Sequence, residues 1–313
     1  TLPFADRLNS GIVKTALNLR DDIQTSDFTS SQRAGTNALL SALDAVKADA
    51  KKNILVATAD RRETKTAYFY EMWFGDGAAA VTIGSDNVIA EFISAHSVSY
   101  DFVDHYRGSN NQTDYVWEER WVRDEGFSKI LPEAVEGLFK KLSIKPSDVD
   151  TFIFPCIFQA ERGKIAKKIG IPSSKVVGNL HEECGETGTA HPLVMLSYAL
   201  ETAKPGDRIL VCGFGQGCDA LYFKVTDNIT KLSKRIGVKT SLERKKSVSN
   251  YAKFLKFRGL IQTEMGIRAE APTQTAMTVL WRKRDMILGL VGGLCTKCNT
   301  PQFPRGEICV NPK

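Results

Sequence analysis

Three cysteines near the C-terminus carry the sharpest chemical signal in this sequence. Cys295-Thr-Lys-Cys298 is followed, after ten intervening residues, by Cys309. Two thiolates two residues apart form one knuckle of a tetrahedral zinc site, and a second knuckle across a hairpin supplies the remaining ligands. Three of the four are in hand, and a fourth cysteine is expected beyond Lys313. A second concentration is Asn179 to His191, "NLHEECGETGTAH". It brings Cys184, Glu186 and His191 together at the opening of an apolar helix, where acid–base chemistry has its reagents; a satisfied core histidine is the simpler role for His191. Gly213-Phe-Gly215-Gln-Gly217 follows a strand. Close glycines let backbone N–H groups approach a ligand, as an oxyanion hole or phosphate cradle requires; a tight turn between paired strands explains them equally well. Finally, "DFTSSQRAG" (27–35) joins a strand to a helix start. A side chain there sits at the positive end of the helix, although Ser31 would serve equally as an N-cap.

Several elements must position these groups. Apolar Ala38, Leu39, Ala42, Leu43 and Val46 predict a helix over 32–50. Strands are predicted at 54–57 and 78–83, with 88–93 paired to the latter. Further on, 152–154 reads as a strand, 161–169 and 187–203 as helices, and 209–212 and 220–225 as strands. "GTNALLSALDAVKADAKKNILVATA" and "GTAHPLVMLSYALETAKPGDRILVCGF" share one helix–strand order, about 155 positions apart. That interval is far too long for a solenoid repeat and points to a duplicated α/β half. From 230 to 246 the pattern dissolves into a polar, basic linker, and 251–261 reads as a short basic helix. The segments "HSVSYDFVDHYRG" and "VWEERWVRDEG" concentrate His105, Trp121 and Arg123 between the halves, as pocket walls or as surface loops.

Composition narrows the class. With 42% hydrophobic and 25% charged residues, the 313-residue chain has an ordinary globular balance. No run of eighteen apolar residues occurs, so no transmembrane helix is expected. Cys156, Cys184, Cys212 and Cys218 are scattered through apolar or Gly-rich stretches, as suits reduced thiols in a cytoplasmic protein. The net charge of +6 is uneven: 228–284 holds fourteen Lys or Arg against three Glu. Such a stretch can attract phosphate-bearing ligands, or be a solvated linker. It lacks interleaved aromatics at a recognition spacing, which counts against nucleic acid. The chain opens at Thr1, mid-pattern, so further N-terminal sequence is expected, and it leaves room for a targeting segment.

In order, "SDFTSSQRAGTNALL", "FGDGAAAVTIG" and "VCGFGQGCDALYFKV" resemble the nucleophile turn, the strand after it and the C-terminal glycine loop of the thiolase superfamily. The similarity is nearest to hydroxymethylglutaryl-CoA synthases and ketoacyl synthase III, and "LGLVGGLCTKCNTPQFPRGEICVNPK" resembles the start of a fused zinc-ribbon and OB-fold module. The resemblance implies an α/β, duplicated thiolase-like fold, with two similar mixed sheets layered α-β-α-β-α. It places the core at 1–227, a basic linker at 228–285 and the zinc-ribbon start at 286–313. The first βαβ elements and the OB-fold are expected outside this sequence.

The resemblance also implies an acyl-CoA or acyl-carrier substrate, a homodimer, and Claisen chemistry on a cysteine thioester with a His and an Asn. Aligned residue by residue, however, the Cys falls on Gln32, the His on Pro155 and the Asn on Glu186. Glutamine cannot form a thioester. The candidate catalytic set is then Ser31, Gln32, Cys156, Cys184, Glu186 and His191. Gly213, Gly215, Gly217, His105 and Arg123 are candidate substrate or oxyanion contacts. Acid and base without a covalent step would suit aldol or retro-aldol chemistry on a CoA thioester; a non-catalytic acyl-CoA-binding scaffold is the alternative.

Overall fold

The computed structural model describes residues 4, 6–233, 235–263 and 276–312. Contacts divide the chain into two compact units. One is essentially Phe28–Gln262; the other combines Leu2–Asp27 with Thr263–Lys313. This division runs across the boundaries expected at 227 and 285.

The larger unit is built on a four-stranded sheet. Its order is Ala90–Ser99, Gly217–Val225, Arg208–Phe214 and Thr151–Ile153; the first three strands are antiparallel neighbours and the last pairs in parallel. The side-chain period of two divides its residues between two cores. Phe152, Leu210, Cys212, Ala220 and Tyr222 face one cluster, with the helix Leu131–Leu142. Ile153, Ile209, Val211, Leu221 and Phe223 face the other, with the helices Ala34–Lys47 and His191–Leu200. Burial on both faces explains the near-continuous apolar runs of Arg208–Phe214 and Gly217–Val225. A second sheet is the hairpin Asn53–Arg61 with Asp76–Gly84, in full register from Asn53↔Gly84 to Arg61↔Asp76. The order helix, strand, antiparallel strand thus occurs twice, in 34–84 and 191–225.

The expectation that 88–93 pairs with 78–83 is overturned. Ala90–Ser99 pairs instead with Gly217–Val225. Cross-strand partners decide this: Glu91 stands opposite Lys224, and the Phe92 and Phe223 rings lie 5.6 Å apart. Those partners are distant in sequence. The helix Leu131–Leu142, preceded by a π-helical stretch Val122–Ile130, has no counterpart among the expectations. Its Leu131, Ala134, Val135, Leu138 and Phe139 are buried at helical spacing.

The basic stretch up to 262 is docked on this unit. It contains the helices Val238–Glu243 and Tyr251–Arg258. Arg258 donates to the Arg62 carbonyl at 2.6 Å and pairs with Asp76, while the Tyr251 hydroxyl donates to Glu71 at 2.6 Å. Among the described residues, no helix is long and apolar enough to cross a membrane.

In the smaller unit, Asp27 caps the helix Asn9–Ala16: its carboxylate accepts from the Asn9 and Ser10 N–H groups at 2.6 and 2.8 Å. Further along, Gly293–Leu294 pairs antiparallel with Pro301–Gln302.

Candidate active site

The turn before the helix Ala34–Lys47 is braced from below. Asp219, 1% exposed, accepts from Thr36 Oγ1 and Ser97 Oγ at 2.7 Å each and pairs with Arg33 at 3.3 Å. Ser31 donates to the Gly215 carbonyl at 2.9 Å and accepts from the Arg33 N–H at 3.1 Å, so its hydroxyl is a turn brace. Gly215 approaches the turn closely: a Cβ would lie 3.0 Å from Arg33 N and 3.1 Å from Gln32 Cβ, so a side chain there would push the turn by a few tenths of an ångström. The glycine loop therefore abuts the turn, as its sequence position suggests. Its Gly215 N–H, however, donates to the Gly217 carbonyl at 3.0 Å. The expected oxyanion donor is committed within its own turn. Gly213 packs against Thr36, and Gly217 (φ +123°) against the Val98 carbonyl; both serve the scaffold.

Above the turn lies a cavity of about 50 Å³, room for a few water-sized groups. Phe74, Val122, Phe127, Pro155, Ile157 and Phe214 form much of its apolar wall, and Gln32, Arg62, Asp104, His105, Cys156 and Glu186 bring polar atoms to it. Four of the expected residues thus converge: Gln32, His105, Cys156 and Glu186. Cys184 and Arg123 do not line the cavity; Arg123 pairs with neighbouring Asp124 at 2.7 Å.

Glu186 is held on both oxygens. Arg62 Nη1 donates to Oε2 at 2.6 Å, and the Gly188 N–H donates to Oε1 at 2.7 Å. Arg62 Nε also donates to Asp114 at 2.8 Å, and its guanidinium covers the Phe74 ring at 4.1 Å. Burial opposes the Arg62 charge, but Glu186 and then Asp114 outweigh it and raise its pKa. Glu186 is therefore an ion-paired anchor, not a free acid–base group.

His191 is fully buried. Its Nε2–H donates to the Asn179 carbonyl at 2.8 Å, and Nδ1 accepts from the Thr187 N–H at 3.0 Å. Burial lowers its pKa, against a smaller opposing pull from Glu186. It is a satisfied core histidine, one residue behind the Pro192 of the cavity wall. His181 meets it edge-on at 4.9 Å and is itself pushed down to about 3, by burial first and then by His191. The thiols are likewise inert: burial pushes Cys156 up to about 12 and Cys184 up to about 11, far from thiolate at neutral pH.

Arg62, Asp104, Asp114, Tyr70 and Phe74 are absent from the expectations, yet they build this site. Asp104 Oδ2 lies 2.9 Å from His105 Nδ1, and the Gln32 amide lies 3.3 Å from the same nitrogen. A two-residue ribbon, His105–Tyr106 with Tyr115–Val116, carries His105 to this position.

The three C-terminal thiols lie in the smaller unit, all within 4.8 Å of one another. The Asn299 N–H returns to the Cys295 carbonyl at 2.9 Å, which folds the knuckle. This spacing fits three corners of a tetrahedral thiolate site.

The mixed sheet, the repeated helix–hairpin order and the cavity at a helix start define a thiolase-like condensing-enzyme fold. A crystal structure of an HMG-CoA synthase complexed with CoA superimposes at TM-score 0.70 over 88% of this chain and 74% of that one, with 17% identity. The ketoacyl-acyl-carrier-protein synthase III of Aquifex aeolicus does so at 0.60 over 69% and 71%, with 20% identity. In sequence, residues 139–222 match the family described as 3-oxoacyl-[acyl-carrier-protein (ACP)] synthase III C terminal. The hydroxymethylglutaryl-CoA synthase of Caldivirga maquilingensis is 30% identical over 266 residues, 83% of this chain and 75% of that one. That of Methanobrevibacter smithii is 30% identical over 269 residues, 83% and 76%. The chain belongs to the hydroxymethylglutaryl-CoA synthase family.

Proposed function

We propose that this protein makes or breaks a carbon–carbon bond on a CoA thioester without an acyl-enzyme intermediate, by aldol or retro-aldol chemistry. The observation that carries this reading is Gln32: an amide, unable to hold an acyl group, occupies the cavity at the helix start. Cys156 beside it is held as a thiol by burial, so it offers no replacement nucleophile. What remains is proton transfer and enolate stabilisation in a small, largely apolar chamber. The CoA thioester is inferred from the family. The reading favours an enzyme over a scaffold because a charged pair, an imidazole and a carboxylate all reach one cavity.

The test uses the protein with a panel of acyl-CoAs, acetyl-, acetoacetyl- and 3-hydroxyacyl-CoAs included, followed by chromatography and intact-protein mass measurement. Appearance of a shortened or lengthened acyl-CoA with no added protein mass is expected. An acyl adduct on the protein refutes the non-covalent route. Measurable acyl-CoA binding with no turnover refutes the enzyme.

Cys295, Cys298 and Cys309 would hold a structural zinc ion, with a fourth ligand from outside the trio. Metal content by mass spectrometry, in the protein and in Cys295→Ser, tests this; equal metal in both refutes it. A homodimer and a cytoplasmic location are also part of this reading, supported by family resemblance and by reduced, dispersed cysteines.

A further inference from the structure

We propose that His105, oriented by Asp104, is the catalytic base of this cavity and takes the proton from the 3-hydroxyl of a 3-hydroxyacyl-CoA thioester. The inference rests on the non-covalent reading above and names its proton acceptor.

Elimination among the titratable cavity groups leads to His105. Arg62 is paired to Glu186 and Asp114, and both Glu186 oxygens are taken. The Tyr70 hydroxyl donates to Glu119 at 3.1 Å, and burial raises its pKa. Cys156 is held as a thiol. Asp104 turns Oδ2 onto His105 Nδ1 at 2.9 Å. A carboxylate can only accept, so the ring proton resides on Nδ1. The Gln32 amide nitrogen lies 3.3 Å from the same Nδ1; two donors cannot pair, so with the ring proton on Nδ1 the amide is turned over to present its oxygen. Nε2 is left with its lone pair, and no hydrogen bond among the described residues engages it. A carboxylate that fixes the tautomer and orientation of an imidazole is how proteins prepare a base.

A second observation points to a ligand. Asp104 is 8% exposed, and its Oδ1 is buried without a hydrogen-bond partner. Such an atom is costly unless a donor arrives. A bound water, or a donor of the substrate other than the hydroxyl that Nε2 deprotonates, fills that place.

The step balances without a redox partner. Nε2 takes the hydroxyl proton. The oxygen pair forms the carbonyl as the C2–C3 bond breaks, and that bond's pair moves into the thioester enolate. C2 then recovers the proton, giving an aldehyde or ketone and a shortened acyl-CoA. The reverse sequence is the aldol addition.

The experiment compares wild type with His105→Ala, His105→Gln and Asp104→Asn, using 3-hydroxyacyl-CoAs of several chain lengths. A lost general base lowers kcat by about 10²- to 10⁴-fold, with acyl-CoA affinity by calorimetry retained. Asp104→Asn, which acts through His105, lowers kcat by about 10- to 100-fold and shifts the acidic limb of the pH profile; a merely structural change would leave that limb in place. Added imidazole should partly restore His105→Ala. Wild-type turnover with His105→Ala and His105→Gln within about threefold of it overturns the base assignment alone. An inactive wild type that still binds these thioesters overturns the function reading, and this proposal with it.

Discussion

Replacing Arg62 with Met removes the cation that serves two buried carboxylates. The Glu186 and Asp114 side chains are 5% and 6% exposed, and each has an Arg62 contact under 3 Å. Methionine keeps most of the apolar stem over Phe74 but leaves two charges in a poorly solvated place. Breaking a buried pair in this way costs about 3–5 kcal/mol. Arg107, 3.5 Å from Asp114, compensates only that side, so Glu186 bears most of the loss. Burial without a cation raises carboxylate pKa values. The folded variant then binds more protons than the unfolded chain, and its stability falls as pH rises, by up to about 1.4 kcal/mol per pH unit for each carboxylate. Urea melts of wild type, Arg62→Met and Arg62→Met/Glu186→Gln at pH 5.5 and 8 measure all three. The single variant should be markedly weaker at pH 8 than at pH 5.5, and the double variant should recover part of the loss. A loss under about 1 kcal/mol at pH 8, or a double variant no better than the single, refutes the reasoning.

His181 and His191 are held neutral by burial, with folded pKa values below the unfolded one. Their contribution is present above pH ~6.5 and lost as pH falls; His181→Phe should flatten the stability curve between pH 7 and 5 in urea melts. Gly217→Ala, at φ +123° and against the Val98 carbonyl, should cost about 1–3 kcal/mol, read as a lower denaturation midpoint. Asp219→Ala strands Thr36, Ser97 and Arg33 beneath the Gln32 turn and should cost about 2–4 kcal/mol; a midpoint shift under 1 kcal/mol would count against that bracing role. Iodoacetamide at pH 7.5 should leave Cys156 and Cys184 unmodified in the native protein, since both thiols are pushed up by burial; peptide mapping that finds either one labelled contradicts this.

Periodicity and motif order carried much of the fold. The helix over 34–47, its strand, and the later helix with its two strands follow from apolar spacing and turn residues that act locally. Pairing of Ala90–Ser99 did not follow, because its partners lie more than a hundred residues away. Leu131–Leu142 shows helical spacing in its own sequence, and only its placement after a π-helical stretch lacks a local signal. At the site, residue type misled where burial decides chemistry. His191, Cys184 and Glu186 look reactive in a row, yet hydrogen bonds and desolvation spend each of them. Arg62 and Asp104 had no motif to mark them. The adjacent Asp104-His105 pair, inside a segment already singled out for its aromatics and charges, was the one signal available for the latter.

The two helix–hairpin units differ most in how their strands are joined. One joint is the two-residue Gly215-Gln216 turn; the other runs from 62 to 75 and delivers Arg62, Tyr70 and Phe74 to the cavity. The two joints thus divide two labours. The short joint has little slack, because Gly215 abuts the Ser31–Arg33 turn. The long one is pinned at both ends, by Arg62 on Glu186 and by the Trp73 carbonyl and Gly75 N–H on the Glu186 backbone, with the residues between left to vary. Selection for a new acyl group would therefore act on Tyr70 and the neighbouring residues of this excursion, and a library there has to spare Arg62, Trp73, Phe74 and Gly75, which hold Glu186 and its backbone.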